Sequence, residues 1–327
     1  MKHLIFSRSL TFYLLGLTAA TLVACSDDED AGGGIPSLPE QGIVRPVTGI
    51  HTSRDVWQYD VASYEYDAEG RMTGGTDFTG DFQIHFSPLS FTINSSSARP
   101  NVMEDVVTDS HGFITSATMP GYPTQGVTTV LRFRYNGEGR MSRMEYIERY
   151  EDGEASDTRT FHYDNGRLMR ATYEAGDRSY MIREKYDYEY AAAGLYPNTG
   201  IFFFEADFLG YLKPRFLWYG GYLGLPSAEL PVSSHWSSSF TEDGEESGTT
   251  MERRCTYSVT YDADGMVRTF RSSGDYAETL TFTYGESFAT DVAPTASAVR
   301  PAAADAQPRV PLTLRERIRA RRAAAQR

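Results

Sequence analysis

From about residue 47 to residue 287, apolar and polar side chains alternate in short runs separated by turn residues. In Leu131-Arg132-Phe133-Arg134-Tyr135 the large apolar groups alternate with arginines. That period of two is what a half-buried strand imposes. Met144, Tyr146 and Tyr150 share one face of the return strand, and Phe161 and Tyr163 carry the aromatic face onward after the Asp152-Gly153 turn. The longest clean run ends at Tyr190. There Tyr180, Ile182, Tyr186, Tyr188 and Tyr190 fall on one face, and Arg183, Lys185, Asp187 and Glu189 on the other.

The turns between these runs repeat. Tyr163-Asp164-Asn165-Gly166-Arg167-Leu168 has near copies at Tyr66-Asp67-Ala68-Glu69-Gly70-Arg71-Met72, Tyr135-Asn136-Gly137-Glu138-Gly139-Arg140-Met141 and Tyr261-Asp262-Ala263-Asp264-Gly265-Met266-Val267. Blurred copies begin at Thr108 and Tyr190. An Asp at the first corner accepts backbone N–H groups two residues on, and a Gly at the last corner takes φ > 0 without a Cβ clash. Asp67, Gly70, Gly139, Asp164, Gly166, Asp262 and Gly265 are therefore the structural turn residues. Copies starting at 108, 135, 163 and 190 are spaced by 27, 28 and 27 residues, room for two strands and two turns.

This pattern predicts an all-β domain over 48–289: a curved antiparallel meander of hairpins, its barrel-like sheet open or closed. One segment, 191–231, breaks the rhythm with continuously apolar stretches such as Ile201-Phe202-Phe203-Phe204 and Phe216-Leu217-Trp218-Tyr219. It fits a buried strand or a short helix lying across the concave face, which something apolar must cover. Trp218, Tyr219, Tyr222 and Trp236 lie in or just after it. They are core aromatics or, in the alternative, a ligand-stacking platform.

The ends carry a different composition. Lys2 and Arg8 precede an apolar stretch from Leu10 to Val23, and Leu22-Val23-Ala24-Cys25 matches a bacterial lipobox. Residues 1–24 thus form a lipoprotein signal peptide, and Cys25 takes the lipid. Ser26, Asp27, Asp28, Glu29 and Asp30, followed by glycines, make 25–47 a solvated tether. Lipidation of Cys25 leaves Cys255 without a disulfide partner, in an alternating run where a small buried thiol fits. The chain carries −13, and the signal's +2 and the +5 of the tail from Asp291 leave −20 for the body. Such a body repels phosphate backbones, which excludes nucleic acid as its partner. Residues 290–327 are rich in Ala, Pro and Arg and predict a disordered tail. A short basic helix over 312–323, touching the chain's own acidic core or an anionic surface, is the alternative.

The stretch Tyr219-Gly220-Gly221-Tyr222-Leu223-Gly224-Leu225-Pro226-Ser227, the downstream Leu230-Pro231 and the Tyr261 to Gly265 turn together resemble the DUF4595-type lipoproteins of Bacteroidetes. The resemblance covers most of 48–287 and implies a porin-like β fold without an assigned function. The hairpin turns alone also resemble the YD repeats of Rhs-type proteins. The copies at 108 and 190 lack the Tyr-Asp pair, and the Arg-rich end lies outside the family pattern. Ser26 to Asp30 resemble the surface-export signal of lipoproteins from the same phylum, which implies an outer-membrane lipoprotein exposed at the cell surface, with the periplasmic face as the alternative.

Candidate chemistry is sparse. The histidines are scattered without zinc spacing, and no nucleophile elbow, phosphate loop or EF-type calcium loop is present. The sequence predicts no cofactor and no metal. It points to a non-enzymatic binding or scaffold lipoprotein, held at the membrane by its lipid, with a glycan or envelope protein as partner. The alternative is a glycan hydrolase with its acids in the repeat turns. A membrane-spanning barrel needs an uncharged lipid band on alternate residues, and Glu148 and Glu184 on the aromatic faces argue against one. Cys25→Ala is expected to abolish palmitate labelling and release the protein into the soluble fraction; continued labelling would contradict the lipobox.

Overall fold

The computed structural model describes residues 45–54, 57–77, 80–94, 100–176, 180–201, 215–275, 277–286 and 313–325. Cys25 and the Ser26 to Asp30 run lie outside the described residues, as does the whole apolar stretch 202–212. The first strands are β1 (Val47–Arg54), β2 (Trp57–Tyr66), β3 (Met72–Asp77), β4 (Gly80–Phe86), β5 (Leu89–Asn94), β6 (Asn101–Thr108), β7 (Ile114–Pro120) and β8 (Thr128–Tyr135). They continue as β9 (Met141–Tyr150), β10 (Gly153–Asp164), β11 (Arg167–Gly176), β12 (Tyr180–Glu189), β13 (Ser233–Glu242), β14 (Glu245–Tyr261), β15 (Val267–Gly274) and β16 (Glu278–Tyr284). Each pairs antiparallel with its chain neighbours, and β1 pairs with β16, so the sheet closes into a barrel. The all-β meander is closed rather than open.

The repeated turns all fall at one end of the barrel. In four of them a side-chain oxygen of Asp67, Asp109, Asn136 or Asp262 accepts the backbone N–H four residues on, at 2.8–3.0 Å. Gly70, Gly112, Gly139 and Gly265 then take φ of 76–78°. The clearest sequence copy closes differently. Asp164 pairs directly with Arg167 across a two-residue turn, with Asn165 at φ 49° and Gly166 at φ 77°. Asp164 accepts from the Asn165 side chain rather than from a turn amide. The tyrosine before the turn also has a mechanical role. The hydroxyls of Tyr66, Tyr135, Tyr190 and Tyr284 donate to the carbonyls of Val47, Ile114, Leu168 and Val267, the first residue of the preceding strand or, for Leu168, the second. Each bond ties the end of an even-numbered strand to the start of the strand before it.

Part of the segment between β12 and β13, Arg215 to Leu223, is buried against the inward faces of the strands. Its helix α1 (Arg215–Tyr219) is buried along its whole length, with Trp218 at 0% exposure. The Phe216 ring stacks on Phe82 at 4.1 Å, Tyr219 stacks on Tyr64 at 5.5 Å, and Tyr222 meets Phe91 edge-on at 5.1 Å. Asp77 accepts the Phe216 N–H at 2.8 Å, and Gly221 at φ 78° ends the helix in a left-handed cap. After the helix the chain runs back across the repeat end as a strap. Leu225 N–H donates to the Gly139 carbonyl at 2.9 Å, Ala228 N–H to the Gly166 carbonyl at 2.8 Å, and Arg167 pairs with Glu229 at 2.8 Å.

Filling the lumen turns the barrel's polarity. The apolar and aromatic face of every strand points inward, so Glu148 and Glu184 face the lumen and say nothing about the outer wall. The outer wall is charged through its own residues. Glu174 pairs with Arg183 at 3.3 Å, Lys185 with Asp187 at 2.9 Å and Arg143 with Glu145 at 2.9 Å. Each Arg or Lys on a lipid-facing wall costs about 2–4 kcal/mol at the bilayer midplane. Moreover β3 and β5 are 6 residues long, short of the roughly 9–11 that cross a bilayer.

Residues 313–325 are not disordered. Helix α2 (Leu314–Ala325) packs at the barrel end opposite the turns, with Leu314 at 0% exposure. The alternative reading of the tail, a short basic helix touching the chain's own acidic core, describes this segment; which acids it meets, Glu148 and Asp152 on a distant hairpin, the sequence did not indicate.

A Cβ at Gly166 would lie 3.0 Å from the Ala228 Cβ and 3.1 Å from the Arg140 guanidinium. Gly166→Val is expected to destabilise by roughly 1–3 kcal/mol, more than Asn165→Ala. Equal urea midpoints would contradict the left-handed, strap-contacting role of this glycine.

Candidate functional site

The four aromatics proposed as a platform separate in the structure. Trp218, Tyr219 and Tyr222 belong to the plug, at 0%, 3% and 0% exposure, and no ligand reaches them without unfolding it. Trp236 lies apart, half-buried on the inward face of β13. Its ring is 6.2 Å from Tyr186, its Nε1 donates to Glu184 at 3.4 Å, and the Arg253 guanidinium sits 5.0 Å from its centre.

Strand register joins this group to others. Arg253 pairs with Trp236, Glu184 with Tyr173, Tyr173 with Arg159, and Asp157 with Tyr146. The inward faces of β9 to β14 therefore carry a continuous arc in which acids, arginines and aromatic rings take turns. At its buried end Asp157 and Arg159, 1% and 3% exposed, form an ion pair, and Arg159 also lies 4.9 Å from the Tyr173 ring centre. Burial pushes the Asp157 carboxyl above its ordinary value, and Arg159 and Arg317 pull it back. Beside it the fully buried Glu148 carboxylate accepts the Tyr146 hydroxyl at 2.8 Å and also the Tyr150 hydroxyl. Burial, then Glu148, pushes the Tyr150 phenol up to about 12.

At the other end the arc opens. Trp236, Glu184, Tyr186 and Tyr173 are half-buried and Arg253 is exposed. A pocket of about 290 Å³ on the same three strands is lined by three consecutive residues from each of β11, β12 and β13: Thr172 to Glu174, Arg183 to Lys185 and Ser237 to Ser239. Trp236 and Arg253 do not line it, and Glu174, Arg183 and Lys185 belong to the outer wall. Outside that pocket, the half-buried Trp236 ring beside the Arg253 guanidinium and the Glu184 carboxylate suits a polar ligand with apolar C–H faces. Glu148 and Glu184 were already legible as acids on the aromatic faces, whereas Asp157 and Arg159 escaped sequence reasoning, although a signal was there. Asp157 and Arg159 share alternation parity with Phe161 and Tyr163, so two charges sit where the inward pattern asks for apolar residues.

The turn acids have another occupation. Asp67, Asp109 and Asp262 each hold a backbone N–H of their own turn through Oδ1. No protein-family model and no curated protein sequence matches the chain. Among solved structures it is similar to a porin-like protein from Bacteroides uniformis ATCC 8492, at 17% identity and a TM-score of 0.54, covering 78% of this chain and 100% of that one. It is also similar to a porin-like protein from Bacteroides vulgatus ATCC 8482, at 12% identity and a TM-score of 0.50, covering 73% and 98%. At these identities the likeness is one of fold.

The two tryptophans should respond differently to truncation. Trp218→Ala is expected to cost roughly 3–5 kcal/mol through lost burial and an unfilled cavity. Trp236→Ala is expected to cost about 1 kcal/mol, the size of a partly exposed cation–π contact. Urea midpoints measure both, and equal losses would contradict the separation of plug from arc.

Proposed function

We propose that the protein is a non-enzymatic, lipid-anchored binding protein of the cell envelope, a relative of the DUF4595-type lipoproteins. Lipid on Cys25 holds it at the outer membrane, and the acidic run Ser26 to Asp30 sends it to the cell surface. The barrel then serves as a scaffold for the open end of the aromatic and charged arc. The reading rests chiefly on one observation. Phe216 to Leu223 are packed away in the core, which leaves the half-buried Trp236, with Arg253 and Glu184 beside it, as the aromatic surface a ligand can reach. A glycan is the ligand class that fits, because sugar rings lay C–H surface on Trp236 while Arg253 and Glu184 meet their hydroxyls. A hydrolase with its acids in the repeat turns has less support, since those carboxylates already accept backbone N–H groups.

Retention of the purified protein on a polysaccharide panel tests this. The wild type is expected to bind at least one glycan. Trp236→Ala is expected to weaken that binding about tenfold, the effect of roughly 1.4 kcal/mol of lost stacking, with an almost unchanged melting temperature. A folded wild type that binds none, or a Trp236→Ala variant that binds as well, would overturn the glycan reading.

A further inference from the structure

The C-terminal helix meets the barrel as a ligand meets a site. Its first turn is self-capped: Thr313 Oγ1 accepts the Glu316 N–H at 3.2 Å, and Glu316 accepts the Thr313 N–H at 2.8 Å. The next N–H, that of Leu314, donates at 2.7 Å to the buried Glu148 carboxylate. A helix N-terminus carries partial positive charge, and a carboxylate in front of it is a favourable partner. The Arg317 guanidinium stands 3.7 Å from the same carboxylate and 5.6 Å from the Tyr146 ring centre. Arg315 reaches Asp152 at 2.9 Å and lies 4.0 Å from the Tyr150 ring centre. Leu314 is fully buried and Ile318 packs on the core, so one helix face makes the whole contact.

The barrel side is built for more positive charge than it holds through its own strands. Asp157 is 1% exposed and its Oδ2 has no hydrogen-bond partner, while Oδ1 takes Arg159. Glu148 depends on the helix for a backbone donor and a guanidinium. The helix itself joins no sheet ladder and follows an Ala- and Pro-rich stretch beyond β16.

We propose that Glu148, Asp157, Asp152, Tyr146 and Tyr150 form a docking site for a basic helix whose first turn presents an aliphatic residue and two arginines, and that α2 is its resident but exchangeable occupant. The inference is independent of the glycan reading. A helix of this length is marginal in water, so it folds as it docks and unfolds as it leaves. Tethering holds it at an effective concentration of about millimolar, which keeps the site closed in the isolated chain.

The test uses the full chain carrying Leu314→Asp and Arg317→Glu, which spoils the resident and leaves every barrel residue intact. A fluorescent peptide of residues 313–325 is expected to bind this variant saturably, and at least about tenfold more weakly to the wild type, whose own tail competes. Adding Glu148→Gln to the variant is expected to weaken peptide binding about tenfold. No binding by a variant that melts like the wild type, or equal binding by variant and wild type, would overturn the proposal. Hydrogen exchange on the wild type gives an answer if the variant fails to fold. The α2 amides are expected to exchange well before those of β8 to β11; exchange of α2 only with global unfolding would make it a fixed part of the core and overturn the exchange.

Discussion

A barrel of sixteen strands is too wide for its own inward side chains to meet across the middle. That constraint shapes the rest of the molecule. The lumen either holds water, as in a pore, or something else must fill it. Here the chain between β12 and β13 turns in and fills it with Phe216, Leu217, Trp218, Tyr219, Tyr222 and Leu223, all at or below 3% exposure. With an apolar filling the inward faces are mostly apolar too, and the outer wall carries ion pairs and hydroxyls, with a few apolar residues such as Val107 and Met251. The hydroxyl pairs Thr260 with Thr269 and Thr256 with Ser273 continue that polar wall across β14 and β15.

The repeat turns hold the filling in place. A plug entering from one end needs anchors at that end, and the turns supply carbonyls at regular intervals. Gly139 and Gly166 offer theirs to the strap residues Leu225 and Ala228. Glycine matters on both sides of the first contact: a Cβ at Gly224 would lie 2.4 Å from the Gly139 carbonyl oxygen. The turn chemistry that repeats along the sequence thus has two roles, closing hairpins and docking the strap. Tyr66, Tyr135 and Tyr190 before three of the turns, and Tyr284 at the end of β16, stiffen the same rim by tying neighbouring strands together.

Much of the fold was legible because alternation and turn chemistry are local. Arg132 and Arg134 between Leu131, Phe133 and Tyr135 state which face is wet. The Gly at 70, 139 and 265 states where φ turns positive. Closure was not legible, since the pairing of Val47 with Tyr284 leaves no mark on either neighbourhood. Nor could Trp218 be told from Trp236, because both follow aromatic, turn-rich sequence. Only the lumen puts one in the plug and the other on an open wall. The sequence placed Glu148 on an aromatic face but not inside, and its partner Leu314 lies too far along the chain for any local pattern to pair them. The candidate site was less legible than the fold for the same reason. Its arc from Glu148 to Arg253 exists only through the register of six strands.

Among the described residues the barrel is filled by apolar side chains and carries ion pairs on its outer wall, and whether such a porin-like sheet stands free of the bilayer is open to a direct measurement. Sedimentation of the chain beginning at Gly34, in buffer without detergent, tests it most directly. The account predicts a single, compact, soluble species with native strand content. Aggregation that only detergent relieves, with stepwise ion conductance once the protein is placed in a planar bilayer, would contradict it.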